Sequence, residues 1–280
     1  MSHCSETSRD VQTHETWINT SHGRLFAKIW GDNKPGDGAK APIVLFHDSL
    51  GCVEVWRDFP AHLSQATGCA VIAYDRLGFG RSDPHPDQLS VNFVRSEAQD
   101  GFAPLLKQLE FQEFVALGHS VGGGMAVVVA GAFPQQCRAL VTVSAQAFVE
   151  DRTLEGIDEA RKNFMQPGQM ERLRKYHGNK VEWVLNAWTE TWFSPEFADW
   201  NLNEDLLKAQ CPVLIIHSEN DEYGSQRHPE RIGALAAGPA QIEILPECGH
   251  IPYREKEDDL IAMIATFLGR TGGLCMDAFP

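Results

Sequence analysis

The chain reads as an α/β protein: an open, mostly parallel sheet behind an N-terminal hairpin, with one helical insertion. Three observations lead there. Short apolar runs with strand character alternate with helix-length segments. A G-x-S-x-G pattern (Gly118, Ser120, Gly122) stands between one such run and a helical stretch. The alternation stops at residue 148, gives way to a charged, tryptophan-rich stretch up to about residue 208, and then resumes.

Taken in order, residues 1–13 are polar and form a loose lead-in. Residues 16–20 and 24–30 flank Ser21, His22 and Gly23 and predict a β-hairpin. Residues 31–42 carry three glycines and two prolines, a flexible loop. A buried strand over 43–46 ends in His-Asp-Ser-Leu-Gly, and a helix is expected near 57–67. The strand over 70–74 is closed by residues 75–82, and an apolar stripe (Phe93, Val94, Phe102, Leu105, Leu106, Leu109) predicts a helix over 90–109. A strand at 114–117, the glycine–serine turn, a helix at 125–132 and a strand at 139–143 follow. Residues 148–208 lack β-branched runs and hold Trp183, Trp188, Trp192 and Trp200, the pattern of a helical cap. Beyond it come a strand at 212–217, a helix near 229–237, a strand at 241–245, a helix over 254–268 and a loose tail from 270 to 280. The core is thus expected from 14–147 and 209–269.

Composition narrows the function classes. A net charge of −14 speaks against nucleic acid and anionic membrane as partners. No apolar run approaches the roughly 20 residues of a membrane span. Residues 1–10 lack the apolar core of a secretory signal, which makes the cytoplasm the expected location. The seven cysteines show no C-x-x-C spacing, and Cys69, Cys137 and Cys211 open apolar runs, as buried free thiols do. No tetrahedral ligand set is visible, so no metal and no other cofactor is expected. A homodimer is an open expectation.

The chemistry centres on Ser120. Strand, tight turn and helix around G-x-S-x-G form a nucleophile elbow, in which side chains at Gly118 or Gly122 would strike neighbouring backbone. A serine hydroxyl needs a base to take its proton, and the base needs an acid to orient it. In the order serine, acid, histidine, Asp221 follows the strand at 212–217 and His250 follows the strand at 241–245. Both lie where open α/β sheets place their sites, at the carboxyl ends of strands. Glu219 and Glu222 are rival acids; register favours Asp221. The Val121 amide opens the helix after the elbow and faces a developing oxyanion. The second donor belongs to the turn after the 43–46 strand, from Ser49 or its neighbour Leu50. Asp48 stands in that turn where glycine is commoner; it either caps the turn or sets a charge beside the oxyanion, and capping is favoured. Trp188 and Trp192, one turn apart, share a helix face and with Leu50 are expected to line an apolar substrate pocket.

The set HDSLG, YDRLGFGRS, GHSVGG, HSENDEYG and CGHIPY, in this order, resembles the α/β-hydrolase fold superfamily over about residues 15–268. The resemblance implies an eight-stranded sheet, helices on both faces, a helical cap after the sixth strand, and Ser120 as nucleophile, Asp221 as acid and His250 as base. It also implies an oxyanion hole from Ser49 and Val121. Ser49-Leu50-Gly51 followed by Trp56 is similar to 3-oxoadipate enol-lactonase-like enzymes, and residues 206–212 to valacyclovir-hydrolase-like ones. The expected function is a serine hydrolase acting on a small, partly apolar carboxylic ester, lactone or thioester. A C–C hydrolase, perhydrolase or hydroxynitrile lyase would use the same triad, and a receptor of the same fold would bind without turnover.

Overall fold

Runs of β-branched residues with no polar alternation fold as strands buried on both faces. In the computed structural model, which describes residues 11–31 and 40–272, these runs build one sheet. Its strands are β1 (Thr13–Asn19), β2 (Arg24–Trp30), β3 (Ile43–Phe46), β4 (Val71–Tyr74), β5 (Phe114–His119), β6 (Cys137–Val143), β7 (Val213–Ser218) and β8 (Ala240–Leu245). They lie in the order β1-β2-β4-β3-β5-β6-β7-β8. β1 runs antiparallel to β2 and β2 to β4; every later pairing is parallel. The expected eight-stranded, mostly parallel sheet is therefore observed.

The helices are α1 (Phe59–Thr67), α2 (Phe93–Glu97), α3 (Ala103–Leu109), α4 (Val121–Ala132), α5 (Asp151–Phe164), α6 (Gln169–His177), α7 (Val181–Phe193), α8 (Asn203–Leu206), α9 (Arg227–Leu235), α10 (Pro252–Glu255) and α11 (Glu257–Gly272). Strand residues alternate between two cores, as the two-residue period requires. Val44, Phe46, Ile72 and Tyr74 face one core with Val94, Leu105, Met125 and Ile232. Ile43, Leu45, Val71 and Ala73 face the other with Phe59, Leu63, Leu260 and Ile264. No helix among the described residues is long and apolar enough to cross a membrane.

Some elements differ from the sequence expectation. The helix expected over 90–109 is α2 and α3 joined by a π turn, Ala98–Phe102. Pro104 has no amide to give to the turn before it, and a wider turn absorbs that loss. α4 starts at Val121 and so takes in three glycines, because packing against the sheet outweighs their low helix propensity. β1 begins at Thr13, and α11 continues to Gly272 into the expected tail. The lead-in over 1–10, most of the 31–42 loop and residues 273–280 lie outside the described residues. Cys69, Cys137 and Cys211 are buried and free, as their apolar context predicts.

Candidate active site

β3 has β4 on one side and β5 on the other, so the chain switches direction across the sheet there. Crevices form at such switch points, at the carboxyl ends of the strands. The turns after β3, β4, β5, β6, β7 and β8 all reach this edge.

β5 ends at His119, and Ser120 takes φ 56 and ψ −129 before α4 begins. A non-glycine residue pays for that conformation, and the surroundings hold it there. A Cβ at Gly118 would lie 2.0 Å from the Gly122 carbonyl oxygen, and one at Gly122 would lie 2.2 Å from that of Phe46. The elbow can therefore close only with glycine at both positions.

Asp221, fully buried in the turn after β7, sets its Oδ1 and Oδ2 at 2.9 and 3.0 Å from Nδ1 of His250. Oδ1 also accepts from the Tyr223 amide at 2.8 Å. The rival acids are occupied with backbone: Glu219 accepts from the Glu247 amide at 3.0 Å and Glu222 from the His250 amide at 3.1 Å. Nδ1–H donating to Asp221 leaves Nε2 as the free acceptor of the ring. Burial pulls the His250 imidazole down, but the Asp221 charge and hydrogen bond, with Glu222 and Asp48 adding to them, outweigh it and raise its pKa. Burial likewise opposes ionisation of Asp221, yet its histidine partners hold it below the usual range.

Asp48 caps its own turn, its Oδ1 accepting from the Leu50 amide at 2.9 Å. Its Oδ2 lies 3.3 Å from Nδ1 of His119, whose Nε2 donates to the His250 carbonyl at 2.7 Å. Against burial, the His119 hydrogen bond and charge hold the Asp48 carboxyl well below the ordinary range. The Leu50 amide is engaged, whereas no hydrogen bond among the described residues takes the Ser49 or the Val121 amide. The turn is also tied to the helices between β6 and β7. His177 on α6 donates from Nε2 to the Leu50 carbonyl at 3.0 Å and accepts the Gly80 amide at Nδ1, 2.9 Å away. Burial pushes that imidazole down to about 4, which keeps it neutral for this double role.

Ser120, His250 and the expected pocket residues Leu50, Trp188 and Trp192 line one cavity of about 340 Å³, together with Asp48 and Ser49. Ile157, Leu173 and Tyr253 extend its apolar wall. The Ser120 hydroxyl donates to Oε1 of Gln146 at 3.2 Å. Gln146 has no periodic or motif signal; only its place just after β6, beside β5, could have pointed to it. No group of three histidine, cysteine, aspartate or glutamate side chains suited to a metal occurs among the described residues.

Residues 41–185 match the sequence profile of the alpha/beta hydrolase fold. The chain is similar to serine hydrolase BPHL of Homo sapiens, 29% identical over 245 residues, covering 83% of this chain and 80% of that protein. It is similar to a proline iminopeptidase of Lactobacillus helveticus, 23% identical over 274 residues, covering 82% and 90%. Among solved structures, the proline iminopeptidase of Mycobacterium smegmatis superposes with a TM-score of 0.68 at 20% identity, covering 94% of this chain and all of that one.

Proposed function

Because the chain belongs to the α/β-hydrolase fold family, we propose that it is a serine hydrolase cleaving a small, partly apolar carboxylic ester, lactone or thioester through an acyl-enzyme on Ser120. One observation carries this reading: a strained elbow serine opens on the same cavity as an imidazole already held by a buried carboxylate.

In this mechanism His250 Nε2 takes the Ser120 proton as Oγ attacks the acyl carbon, and Asp221 stabilises the imidazolium that forms. Negative charge builds on the acyl oxygen and is met by the Ser49 and Val121 amides, the latter at the start of α4 where the helix dipole adds to the donor. His250 then protonates the leaving group, and water deacylates the serine by the reverse sequence. The cavity lies at the small end of the size range of ligand sites, and its largely apolar wall suits a short acyl or alcohol group.

Ser120→Ala should lower kcat for a p-nitrophenyl ester on the order of 10⁶-fold with the fold intact. Fluorophosphonate should label the parent at Ser120 only. Esters, lactones, thioesters and a prolyl anilide, run side by side, set the substrate class. Turnover within tenfold of the parent in the alanine variant overturns the nucleophile, and a preference for the anilide overturns the ester class.

A further inference from the structure

We propose that Gln146 is a specificity-determining residue, its carboxamide donating a hydrogen bond to an acceptor atom one or two positions from the substrate's acyl carbon. The proposal rests on the reading of Ser120 as nucleophile. Gln146 Oε1 accepts the Ser120 hydroxyl at 3.2 Å, so the carboxamide sits against the reacting oxygen. The side chain is 2% exposed and lines the cavity. Its Nε2 has no hydrogen-bond partner among the described residues. Nε2 is not among the buried polar atoms without a partner, so its N–H donors open on the cavity and are free for a bound ligand.

The backbone around Gln146 is built to aim it. Ser144 adopts φ 48, its amide donates to the Ile216 carbonyl at 2.8 Å, and its hydroxyl lies 3.3 Å from that of Ser218. Such strain persists only where the surroundings over-determine it. Ala145 packs into the elbow helix, where a Cβ at Gly123 would come within 2.4 Å of its own. On the other side the Ala147 amide donates to His228 Nδ1 at 3.1 Å, and the Ala147 carbonyl accepts from the Leu202 amide at 2.9 Å. His228 is fully buried, its Nε2 2.8 Å from Glu150, and Glu150 is itself held by the Ser225 amide and hydroxyl at 2.7 and 2.9 Å. This buried histidine–glutamate pair has no part in proton transfer at Ser120; it fixes the residue next to Gln146.

The two polar atoms of a carboxamide are only about 2.2 Å apart, given the bond lengths of a planar amide. With Oε1 against Ser120 Oγ, a hydrogen bond from Nε2 reaches atoms close to the carbon that Oγ attacks. The substrate class that fits carries an oxygen or nitrogen there: a 2-alkoxy, 2-oxo or similarly substituted acyl group. As Ser120 loses its proton to His250, Oε1 gives up its donor while Nε2 keeps its hold on the acyl group.

p-Nitrophenyl methoxyacetate and p-nitrophenyl butyrate test this, since their acyl chains differ only by an oxygen in place of a methylene. The ratio of kcat/KM for the two esters is compared between the parent, Gln146→Met and Gln146→Glu, so that intrinsic reactivity cancels. Methionine removes the carboxamide at similar length, and glutamate keeps an acceptor for Ser120 but has no N–H. Both should lower the methoxyacetate-to-butyrate ratio about threefold to tenfold, the worth of one hydrogen bond. Equal loss on both esters, with the ratio unchanged, overturns the proposal and leaves Gln146 as packing. Should methionine unfold the protein in a thermal melt, the glutamate ratio decides. If fluorophosphonate leaves parent turnover of both esters intact, it is the serine-hydrolase reading that falls, and this proposal with it.

Discussion

At the scale of single residues, the site is a set of carboxylates sorted by what each can reach. Asp221 meets a ring nitrogen, Glu219 and Glu222 meet backbone amides, and Asp48 meets an amide and a second imidazole. Their distribution decides the pH profile. In the proposed mechanism only neutral His250 accepts the Ser120 proton, and its pKa is raised, so kcat/KM should climb with pH along a limb above the ordinary imidazole value of about 6.5. Asp221→Asn removes the largest raising cause and leaves burial acting against the imidazolium. The limb should then move to lower pH while kcat falls by orders of magnitude, because the ring loses its orienting acceptor. Glu222→Gln should move it in the same direction by less. A pH–rate profile of each variant on one ester checks this, and a limb that stays in place in Asp221→Asn removes Asp221 from the pair.

At the scale of elements, α7 does two jobs along one face. Trp188 lies 6.0 Å from the Tyr223 ring and on the cavity wall, whereas Trp192, also on the wall, packs against Phe197 at 5.2 Å and Trp200 at 5.9 Å. The two tryptophans should therefore separate in experiment. Trp188→Ala should shift preference toward longer acyl chains. Trp192→Ala should cost about 3–5 kcal/mol, as truncation of a core aromatic does. The Trp192 indole N–H is buried without a partner among the described residues, so Trp192→Phe keeps the ring packing and discards an unsatisfied donor. It should melt well above the alanine variant. Melting temperatures together with a series of p-nitrophenyl esters of rising chain length distinguish the two roles; identical effects at both positions would merge them.

At the scale of the whole molecule, stability carries the mark of a buried acid that does not line the cavity. Glu97, next to the π turn, accepts the Tyr74 hydroxyl at 2.6 Å and is 9% exposed. Burial raises its pKa to about 7, against the pull of Arg76 and the Tyr74 hydrogen bond. A carboxyl raised in the folded state holds a proton that the unfolded chain has already released. Stability therefore falls as pH climbs from the unfolded value near 4.5 to the folded one near 7, by on the order of 3 kcal/mol. Glu97→Gln keeps the acceptor and has no charge to bury. It should melt above the parent at pH 8 and lose that advantage by pH 5. Parallel melts across this range check the sign; a variant less stable than the parent at pH 8 would mean that ionised Glu97 is a net stabiliser through Arg76.

Sequence alone determined the features whose causes are local. Alternating apolar runs set strand and helix, and the G-x-S-x-G pattern marked the elbow because the collision Gly118 avoids, with the Gly122 carbonyl, lies within the turn itself. The order of Ser120, Asp221 and His250 was legible because each follows a strand. The π turn in the long helix was not, since a burial pattern does not register one extra residue in a turn. Register favoured Asp221 among three carboxylates within four positions, but the contacts that separate them, Asp221 on the His250 ring and Glu219 and Glu222 on backbone amides, arise only where the loop after β8 lies against the loop after β7. Gln146 and the tie from His177 to the Leu50 turn left no sequence trace at all. Their partners lie 26 and 127 residues away, and contacts of that span leave no period to read. Only the strand order, which gathers the loops after the six parallel strands β3 to β8 at one sheet edge, decides which side chains meet there.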